Sequence, residues 1–343
     1  MFFASDNASP APPQVMAALT RANDGYAMPY GNDAIMGRVR DQVRTIFEAP
    51  EAAVYLVATG TAANALALSL YCPPWGSVLC HSLAHIAEDE CGAPEFFSGG
   101  AKLVLVDGTH GKITPDALAA RLSRFADCNV HGVQRSILSI TNVTEAGTIY
   151  TPAEVASLTA VAQRHGMPIH MDGARFANAI VATGASPADM TWRAGIDVLS
   201  FGGTKNGLLG VEAVVIFDPA KAWEFELRRK RAGHLPSKHR YLSAQMDAYL
   251  TDGLWLRLAA QANAMAARLA AGIAAVPGVV LSHPVQANML FPEWPFEAHA
   301  RLQAAGAVYY DWTGEHSRKA ARLVTSWCTT AAEVDGFLAV LRG

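Results

Sequence analysis

Short apolar runs alternate with helical patterns over the first two-thirds of the chain. The runs are AVYLV (53–57), SVLCH (77–81), KLVLVD (102–107), SILSITN (136–142), PIHMD (168–172), DVLSFGG (197–203) and AVVIFD (213–218). Continuous apolar strands that alternate with helices are typical of a mostly parallel sheet with helices on both faces. The pattern therefore predicts an α/β domain built on a mostly parallel seven-stranded sheet.

The segments between these runs carry helix signals. Helices are predicted from about Thr61, over 84–95, over TPDALAARLSRF and over TPAEVASLTAVAQRHG. In the last of these, Thr151 is the expected N-cap, Glu154 completes a capping box and Gly166 ends the helix.

The pattern changes after Asp218. A helix-rich stretch runs from about 220 to 276, and it is followed by VVLSH (279–283), a helix near 296–305, RLVTSW (322–327) and a helix from Ala331. We expect a large domain over 1–245 and a smaller α+β domain over 246–343, joined through a long helix.

Composition and charge narrow the class of protein. The 343 residues carry a formal charge of -3, which gives no general attraction for nucleic acid. No apolar run approaches the roughly 18 residues that span a bilayer. The N-terminus lacks a secretory pattern, and the five cysteines lack a CxxC pair, which together favour a cytoplasmic protein. The basic run RRKRAGHLPSKHR (228–240) is the nearest candidate for a local attraction for nucleic acid, but a solvated helix end explains it equally well.

Three polar features follow predicted strands, at the sheet edge where ligands bind in such folds. They are the turn Thr59-Gly60-Thr61, Asp172 and Lys205. A turn with glycine at a helix N-terminus suits an anion such as phosphate, although simple capping explains it equally well. For Asp172 the alternative is an ion pair with Arg175, since a buried carboxylate needs a cation. Lys205 lies in SFGGTKNG, which lacks the Walker phosphate pattern.

Taken together, these features match the needs of pyridoxal phosphate. A lysine holds its aldehyde, a carboxylate keeps its ring nitrogen protonated, and helix amides take its phosphate. We expect Gly202, Gly203 and Gly207 to make room for the cofactor and substrate around Lys205.

A specific resemblance follows from longer stretches of the sequence. ATGTAANALAL, AHIAEDECGAPEFFSGG, TNVTEAGTIYTPAEVASLTAVAQRHGMPIHMDGARFANA and SFGGTKNG resemble the L-threonine aldolase family, in its low-specificity and phenylserine-aldolase-like branch. This family belongs to the aspartate-aminotransferase-like, fold-type-I enzymes that use pyridoxal phosphate. The resemblance runs collinearly over nearly the whole chain.

The resemblance implies roles for the residues around the cofactor. Lys205 matches the Schiff-base lysine, Asp172 the partner of the ring nitrogen, and His85 the histidine stacked on the ring. The phosphate group is assigned to Thr59, Gly60 and Thr61, with Thr204 as a further candidate contact and Arg175 close by. Metal binding by His81, His85 and Glu88 is a rival interpretation, which lacks an HExxH or cysteine motif.

The resemblance also implies substrate contacts and an assembly. Arg322 in ARLVTSW matches the arginine that binds the substrate carboxylate, with Ser5 and Arg175 as further contacts. Tyr30 matches a segment that reaches the active site of a neighbouring subunit. Lys238 and Arg240 are candidates for phosphate contacts across that interface, in a homotetramer built from two dimers.

The implied activity is retro-aldol cleavage of an L-3-hydroxy-2-amino acid to glycine and an aldehyde. His85, or a water that it holds, is the first candidate for the base. Two rival functions stay open: a pyridoxal-phosphate lyase that eliminates β-substituents from aromatic amino acids, and a non-catalytic homologue that acts as a binding module.

Overall fold

The computed structural model describes residues 1–126, 128–312 and 318–343. Its larger sheet contains seven strands: β1 (Ala53–Val57), β2 (Gly76–His81), β3 (Lys102–Val106), β4 (Gln134–Thr141), β5 (Ile169–Gly173), β6 (Val198–Gly202) and β7 (Glu212–Ile216). They lie in the order β1-β7-β6-β5-β4-β2-β3, and β7 alone runs antiparallel to its neighbours. The predicted seven-stranded, mostly parallel sheet is therefore confirmed.

Helices cover this sheet. In chain order the first nine are α1 (Pro13–Ala22), α2 (Ala34–Ile46), α3 (Gly60–Tyr71), α4 (His85–Glu88), α5 (Ala93–Ser98), α6 (Pro115–Leu122), α7 (Pro152–Gln163), α8 (Phe176–Thr183) and α9 (Pro187–Met190). The next two are α10 (Ala222–Arg231) and α11 (Arg240–Leu250). The capping box of Thr151 and Glu154 is confirmed at the start of α7.

The single helix predicted over 84–95 is wrong. The structure divides this segment into α4 and α5, which are separated by Cys91 and Gly92 in the left-handed backbone region. Gly92, at φ +73°, is the N-cap of α5, and it adopts this left-handed conformation at low cost because it has no Cβ atom. Pro94 then enters the first turn of α5, where its missing N–H costs nothing.

The smaller part of the chain forms an antiparallel sheet with helices on it. Its elements are α12 (Leu254–Ala274), β8 (Val280–Leu281), β9 (Met289–Leu290), β10 (Pro292–Pro295), α13 (Phe296–Ala304), β11 (Tyr310–Trp312), β12 (Arg318–Val324) and α14 (Ala331–Arg342). The α+β character predicted for this region is confirmed.

Helix α12 contributes to two hydrophobic cores. Leu254, Trp255 and Leu258 near its start pack into the core of the larger sheet. Leu269 and Ile273 near its end pack into the core of the smaller sheet. The domain boundary at 245 stays a prediction, because one continuous helix passes from the first core to the second.

The N-terminal segment also joins both parts. Phe3 lies in the smaller core, and its backbone pairs with Val308 and Val324 at 2.7 and 2.8 Å. A short 3-10 turn, Asp6–Ala8, then reaches the turn after β6. Within the described residues, no helix has the length and apolar character needed to cross a bilayer.

Candidate active site

A cavity of about 350 Å³ opens at the carboxyl edge of the larger sheet. It is lined by Asn7, Ala58, Thr59, Gly60, Thr61, Asn64, His85, Glu90, Asp172, Ala174, Thr204, Lys205, Leu209, Gly210 and Glu212. The structure thus brings together seven of the predicted site residues, from the ends of β1, β5 and β6 and from α4. A larger groove on the outer face between α3, α5 and α10 contains none of them.

The first turn of α3 faces this cavity. Thr59 is the N-cap, and its Oγ1 accepts from the Ala62 N–H at 3.1 Å. The amides of Gly60 and Thr61 belong to the first turn and have no preceding turn of helix to bond. Capping by Thr59 therefore leaves two donors and the positive end of the helix dipole for an anion.

Asp172 lies buried at the end of β5, held by neutral donors. Its Oδ2 accepts from Asn64 Nδ2 at 2.9 Å, and its Oδ1 accepts from the Ala174 N–H at 3.0 Å. The alternative ion pair with Arg175 is wrong, because Arg175 bonds Asp6 instead. In the described structure no cation bonds the Asp172 carboxylate, which leaves its charge for a protonated ring nitrogen.

Lys205 sits in a short turn that is fixed on both sides. Glu212 Oε2 accepts from the Gly203 N–H at 2.6 Å, and Thr204 Oγ1 accepts from the Val211 N–H at 3.2 Å. Asn206 Nδ2 bonds Trp255 O at 2.8 Å. The Lys205 amine itself makes no hydrogen bond or ion pair with the described residues. The bonds around it fix the backbone of the turn, and the turn presents to the cavity an amine without a protein partner.

The expectation that glycines around Lys205 make room for ligand is wrong. A Cβ atom on Gly202 would clash with the backbone of Ala174, and one on Gly203 would lie 2.6 Å from Val211 O. Gly207 has φ +101° and lies against Trp327. These glycines let protein segments pack closely, and this packing fixes the turn that carries the lysine.

His85, at the start of α4, is bonded to a buried carboxylate. Its Nδ1 lies 2.9 Å from Glu90 Oε1, and this bond raises the pKa of His85 above its ordinary value. His81 Nε2 instead lies 3.0 Å from Gly108 O, and Glu88 is exposed. Among residues 1–126, 128–312 and 318–343, no three His, Cys, Asp or Glu side chains are grouped to hold a metal ion.

Arg322, on β12, carries an unsatisfied donor. Its Nε is buried without a hydrogen-bond partner, and its guanidinium lies 4.9 Å from the centre of the Tyr310 ring. Burial, with repulsion from Arg175, lowers the pKa of Arg322 below its ordinary value. A buried guanidinium donor without a partner is costly, and a carboxylate ligand would satisfy it.

Ser5 and Arg175 have protein partners already. Ser5 Oγ caps the 3-10 turn by accepting from the Asn7 N–H at 3.2 Å. Arg175 is buried and donates from Nε and Nη2 to Asp6 at 2.7 and 2.9 Å. Arg175 therefore anchors the N-terminal segment beside the cavity, and its role as a direct ligand contact stays a prediction.

Tyr30, Lys238 and Arg240 lie outside the cavity of their own chain. The Tyr30 N–H donates to Ser237 O at 3.1 Å, and Arg240 Nη1 donates to Gly25 O at 2.8 Å. Lys238 is exposed, and it lines with Arg240 a separate cavity against 25–29. Their predicted roles depend on a neighbouring subunit.

Sequence reasoning missed several polar residues at the site: Asp6, Asn7, Asn64, Glu90, Glu212 and Asn288. Glu212 could have been identified from the sequence, since it is the lone charged residue within the apolar run VEAVVIF. Asp6 and Asn64 could not have been identified in this way, because their hydrogen-bond partners are far away in sequence.

Comparisons with known proteins agree with this geometry. Residues 3–294 match the family model of the beta-eliminating lyases. The low specificity L-threonine aldolase of Pseudomonas sp. (strain NCIMB 10558) is 42% identical over 340 residues, which are 99% of this chain and 96% of that protein. The corresponding protein of Pseudomonas aeruginosa is 42% identical over 332 residues, 97% of this chain and 94% of that protein.

Solved structures give the same assignment. The threonine aldolase of Leishmania major superposes with a TM-score of 0.94 at 30% identity, covering 99% of this chain and 98% of that one. The serine palmitoyltransferase of Sphingomonas wittichii has the same fold, with a TM-score of 0.74 at 16% identity over 100% of this chain and 86% of that one. The chain has the fold-type-I architecture, and it belongs to the beta-eliminating lyase family and, within it, to the L-threonine aldolases.

Proposed function

We propose that the chain is a pyridoxal-phosphate-dependent aldehyde-lyase. It cleaves L-3-hydroxy-2-amino acids, such as threonine, allo-threonine and phenylserine, to glycine and an aldehyde. The observation that carries this proposal is the unengaged amine of Lys205, in one cavity with the buried Asp172 carboxylate and the first turn of α3. These three groups match the aldehyde, ring nitrogen and phosphate of one cofactor.

The residues present fit that cofactor. The amides of Gly60 and Thr61, with Thr59 and Thr204 at the same wall, would hold the phosphate. Asp172 would keep the proton on the ring nitrogen, and the neutral donors around it leave its negative charge uncompensated. Pyridoxal phosphate, when bound, supplies a ring that takes up the electrons of the broken Cα–Cβ bond.

The chain's own residues orient the substrate and move its proton. Arg322, through its unsatisfied Nε, would bind the substrate carboxylate, and Ser5 would be a second contact of that carboxylate. Fixing that carboxylate sets which bond of the substrate Cα stands perpendicular to the cofactor ring. His85, or a water on it, would accept the proton of the β-hydroxyl group.

The assembly and the compartment belong to the same proposal. A homotetramer of two dimers would bring Tyr30, Lys238 and Arg240 to the cavity of a neighbouring subunit. The five cysteines are free, two of them exposed, which supports a reducing cytoplasm as the working compartment.

A substrate panel with product identification tests the proposal. Threonine, allo-threonine and phenylserine should give glycine and the matching aldehyde, while Lys205→Ala should lose both the visible absorption of the bound cofactor and turnover. Lys102→Ala, at an exposed lysine on β3, is the matched control and should behave as the unmodified chain. Pyruvate and ammonia from aromatic amino acids would instead assign a β-eliminating lyase, and full activity of Lys205→Ala would refute the assignment of the lysine.

A further inference from the structure

Four side chains form a continuous hydrogen-bonded chain along one wall of the cavity. His85 Nδ1 lies 2.9 Å from Glu90 Oε1, Glu90 Oε1 accepts from Asn64 Nδ2 at 2.8 Å, and the same Nδ2 donates to Asp172 Oδ2 at 2.9 Å. Asn64, Glu90 and Asp172 are all buried. This series of hydrogen bonds connects His85, the residue expected to stack on the cofactor ring, with Asp172, the expected partner of the ring nitrogen.

The orientation of Asn64 follows from its two neighbours. An amide nitrogen carries two hydrogens, and here one points to each carboxylate. The reversed orientation would place the amide oxygen against two acceptors, so the carboxylates select the observed one. Both hydrogens are then committed, and Asn64 spans the gap between Glu90 and Asp172.

Glu90 in turn fixes the histidine ring. A carboxylate oxygen at 2.9 Å from Nδ1 holds a hydrogen on that nitrogen, as in the carboxylate–histidine pairs of hydrolases. Nε2 is then the ring nitrogen left for the cavity that His85 lines. The side chain of Glu90 is fully buried and its Oε2 has no partner, so the carboxylate directs its bonding to one side.

We propose that Glu90 is a positioning residue, which holds His85 with Nε2 available to the substrate, and that Asn64 couples this pair to Asp172. The inference rests on the proposed function, because it gives the candidate base its orientation. Neither Glu90 nor Asn64 contacts the reacting atoms in this scheme. Both act through a residue that does.

Other charged groups around His85 also affect its pKa. Asp172 on β5 and Glu145 in the β4–α7 loop favour its protonated form, while Lys205 after β6 opposes it. The bond to Glu90 is the largest contribution, and it raises the pKa of His85. Replacing Glu90 by glutamine keeps the shape and one acceptor but removes the charge, so the pKa of His85 should fall.

The experiment is a nitrogen-15 NMR titration of the histidines in cofactor-free protein, with the His85 signal assigned by its loss in His85→Gln. Glu90→Gln should lower the pKa of His85 and keep the hydrogen on Nδ1. Asp89→Asn removes an exposed charge one residue away and is the matched control, expected to titrate as the unmodified protein. In the loaded enzyme, Glu90→Gln should move the acid limb of the kcat profile to lower pH and reduce kcat roughly 10-fold.

Asn64→Leu tests the coupling. Glu90 loses one of its two donors, becomes a stronger acceptor for His85, and the pKa of His85 should rise, opposite to the effect of Glu90→Gln. If Asn64→Leu is not folded, Asn64→Ala makes the same test.

An unchanged His85 titration in Glu90→Gln would overturn the positioning role. An unchanged or lowered pKa in the Asn64 variant would overturn the coupling. Neither result depends on turnover, whereas absence of glycine and aldehyde from the unmodified enzyme would overturn the proposed function itself.

Discussion

Arg175 and Asp6 form a buried ion pair with two parallel hydrogen bonds, Nε to Oδ2 at 2.7 Å and Nη2 to Oδ1 at 2.9 Å. The two side chains are 6% and 1% exposed. Asn288, from the smaller domain, adds a third bond to Asp6 Oδ2 at 3.0 Å. Since Arg175 follows β5 and Asp6 lies in the N-terminal segment, the pair joins three parts of the chain beside the cavity.

Removing one partner of this pair should strongly destabilise the protein. Asp6→Ala leaves a buried guanidinium without its counter-charge, and we expect a loss of about 3–5 kcal/mol in the free energy of unfolding. Urea unfolding of the cofactor-free protein measures it. The exposed pair of Arg268 and Asp335 is the control, and Asp335→Ala should leave the unfolding midpoint unchanged. Similar midpoints for both variants would contradict the importance of burial.

The same pair predicts part of the acid sensitivity. Burial alone would raise the pKa of Asp6, but Arg175 outweighs it, and the net pKa lies below the ordinary value. The unfolded chain therefore binds a proton first as the pH falls through about 4. The stabilisation is complete above that pH and is lost as the pH falls towards the native pKa. Asp6→Asn should show a shallower loss of unfolding free energy below about pH 4, whereas an unchanged slope would exclude this contribution.

Arg322 should determine substrate binding rather than stability. Arg322→Lys keeps a positive charge but loses the planar pair of donors, and we expect kcat/KM to fall about 100-fold, mainly through KM. Lys319→Ala, three residues away on β12, is the control, because the Lys319 amine already bonds Asp311 at 3.0 Å. Steady-state kinetics at fixed pH measure this effect, and an unchanged KM in Arg322→Lys would show that Arg322 does not bind the substrate.

The sequence allowed the positions at the sheet edge to be predicted, because they depend on local patterns. Asp172 and Lys205 each follow an apolar strand, and parallel strands place their carboxyl ends at the same edge. The turn at Thr59 likewise carries a local helix-start signal. These three features needed only the order of strands and helices along the chain.

The supporting residues could not be predicted, because their partners are distant in sequence. Asp6 and Arg175 are 169 positions apart, and Asn64 reaches Asp172 across 108. Within its own helix Asn64 is an ordinary residue of an alanine-rich stretch. Tertiary packing, rather than any local pattern, turns it towards the carboxylates.

Missed and misassigned elements have a similar cause. Helices α1 and α2 lie before β1 and received no prediction, although α2 has Asp33 as N-cap and buries Met36, Val39 and Val43. Helix α4 ends at Glu88 after one turn, and Gly92 and Pro94 begin a separate helix, α5, within a segment whose pattern is otherwise helical. The smaller sheet was incompletely predicted. The run VVLSH (279–283) contains β8, but β9, β10 and β11 received no prediction, since they have two to four residues each, too few to show an alternating pattern.

Glu212 provides the final prediction, because it is buried on β7 beside the turn of Lys205. Burial raises its pKa to about 7, and the bond from the Gly203 N–H and the charge of Lys205 only partly offset this. In the unfolded chain a glutamate titrates near 4.3, so between about pH 4.3 and 7 the folded protein holds one more proton. The free energy of unfolding should therefore decrease as the pH rises through this range, by on the order of 3 kcal/mol.

Glu212→Gln should remove this decrease, since an amide does not titrate. Below about pH 4 the two proteins should have similar free energies of unfolding. At pH 7 the free energy of unfolding of Glu212→Gln should exceed that of the unmodified protein by the largest amount. Urea unfolding of cofactor-free protein across the range measures the slopes, and Glu51→Gln, at an exposed glutamate before β1, is the control. Equal slopes in all three proteins would mean that the pKa of Glu212 is not raised in the folded protein.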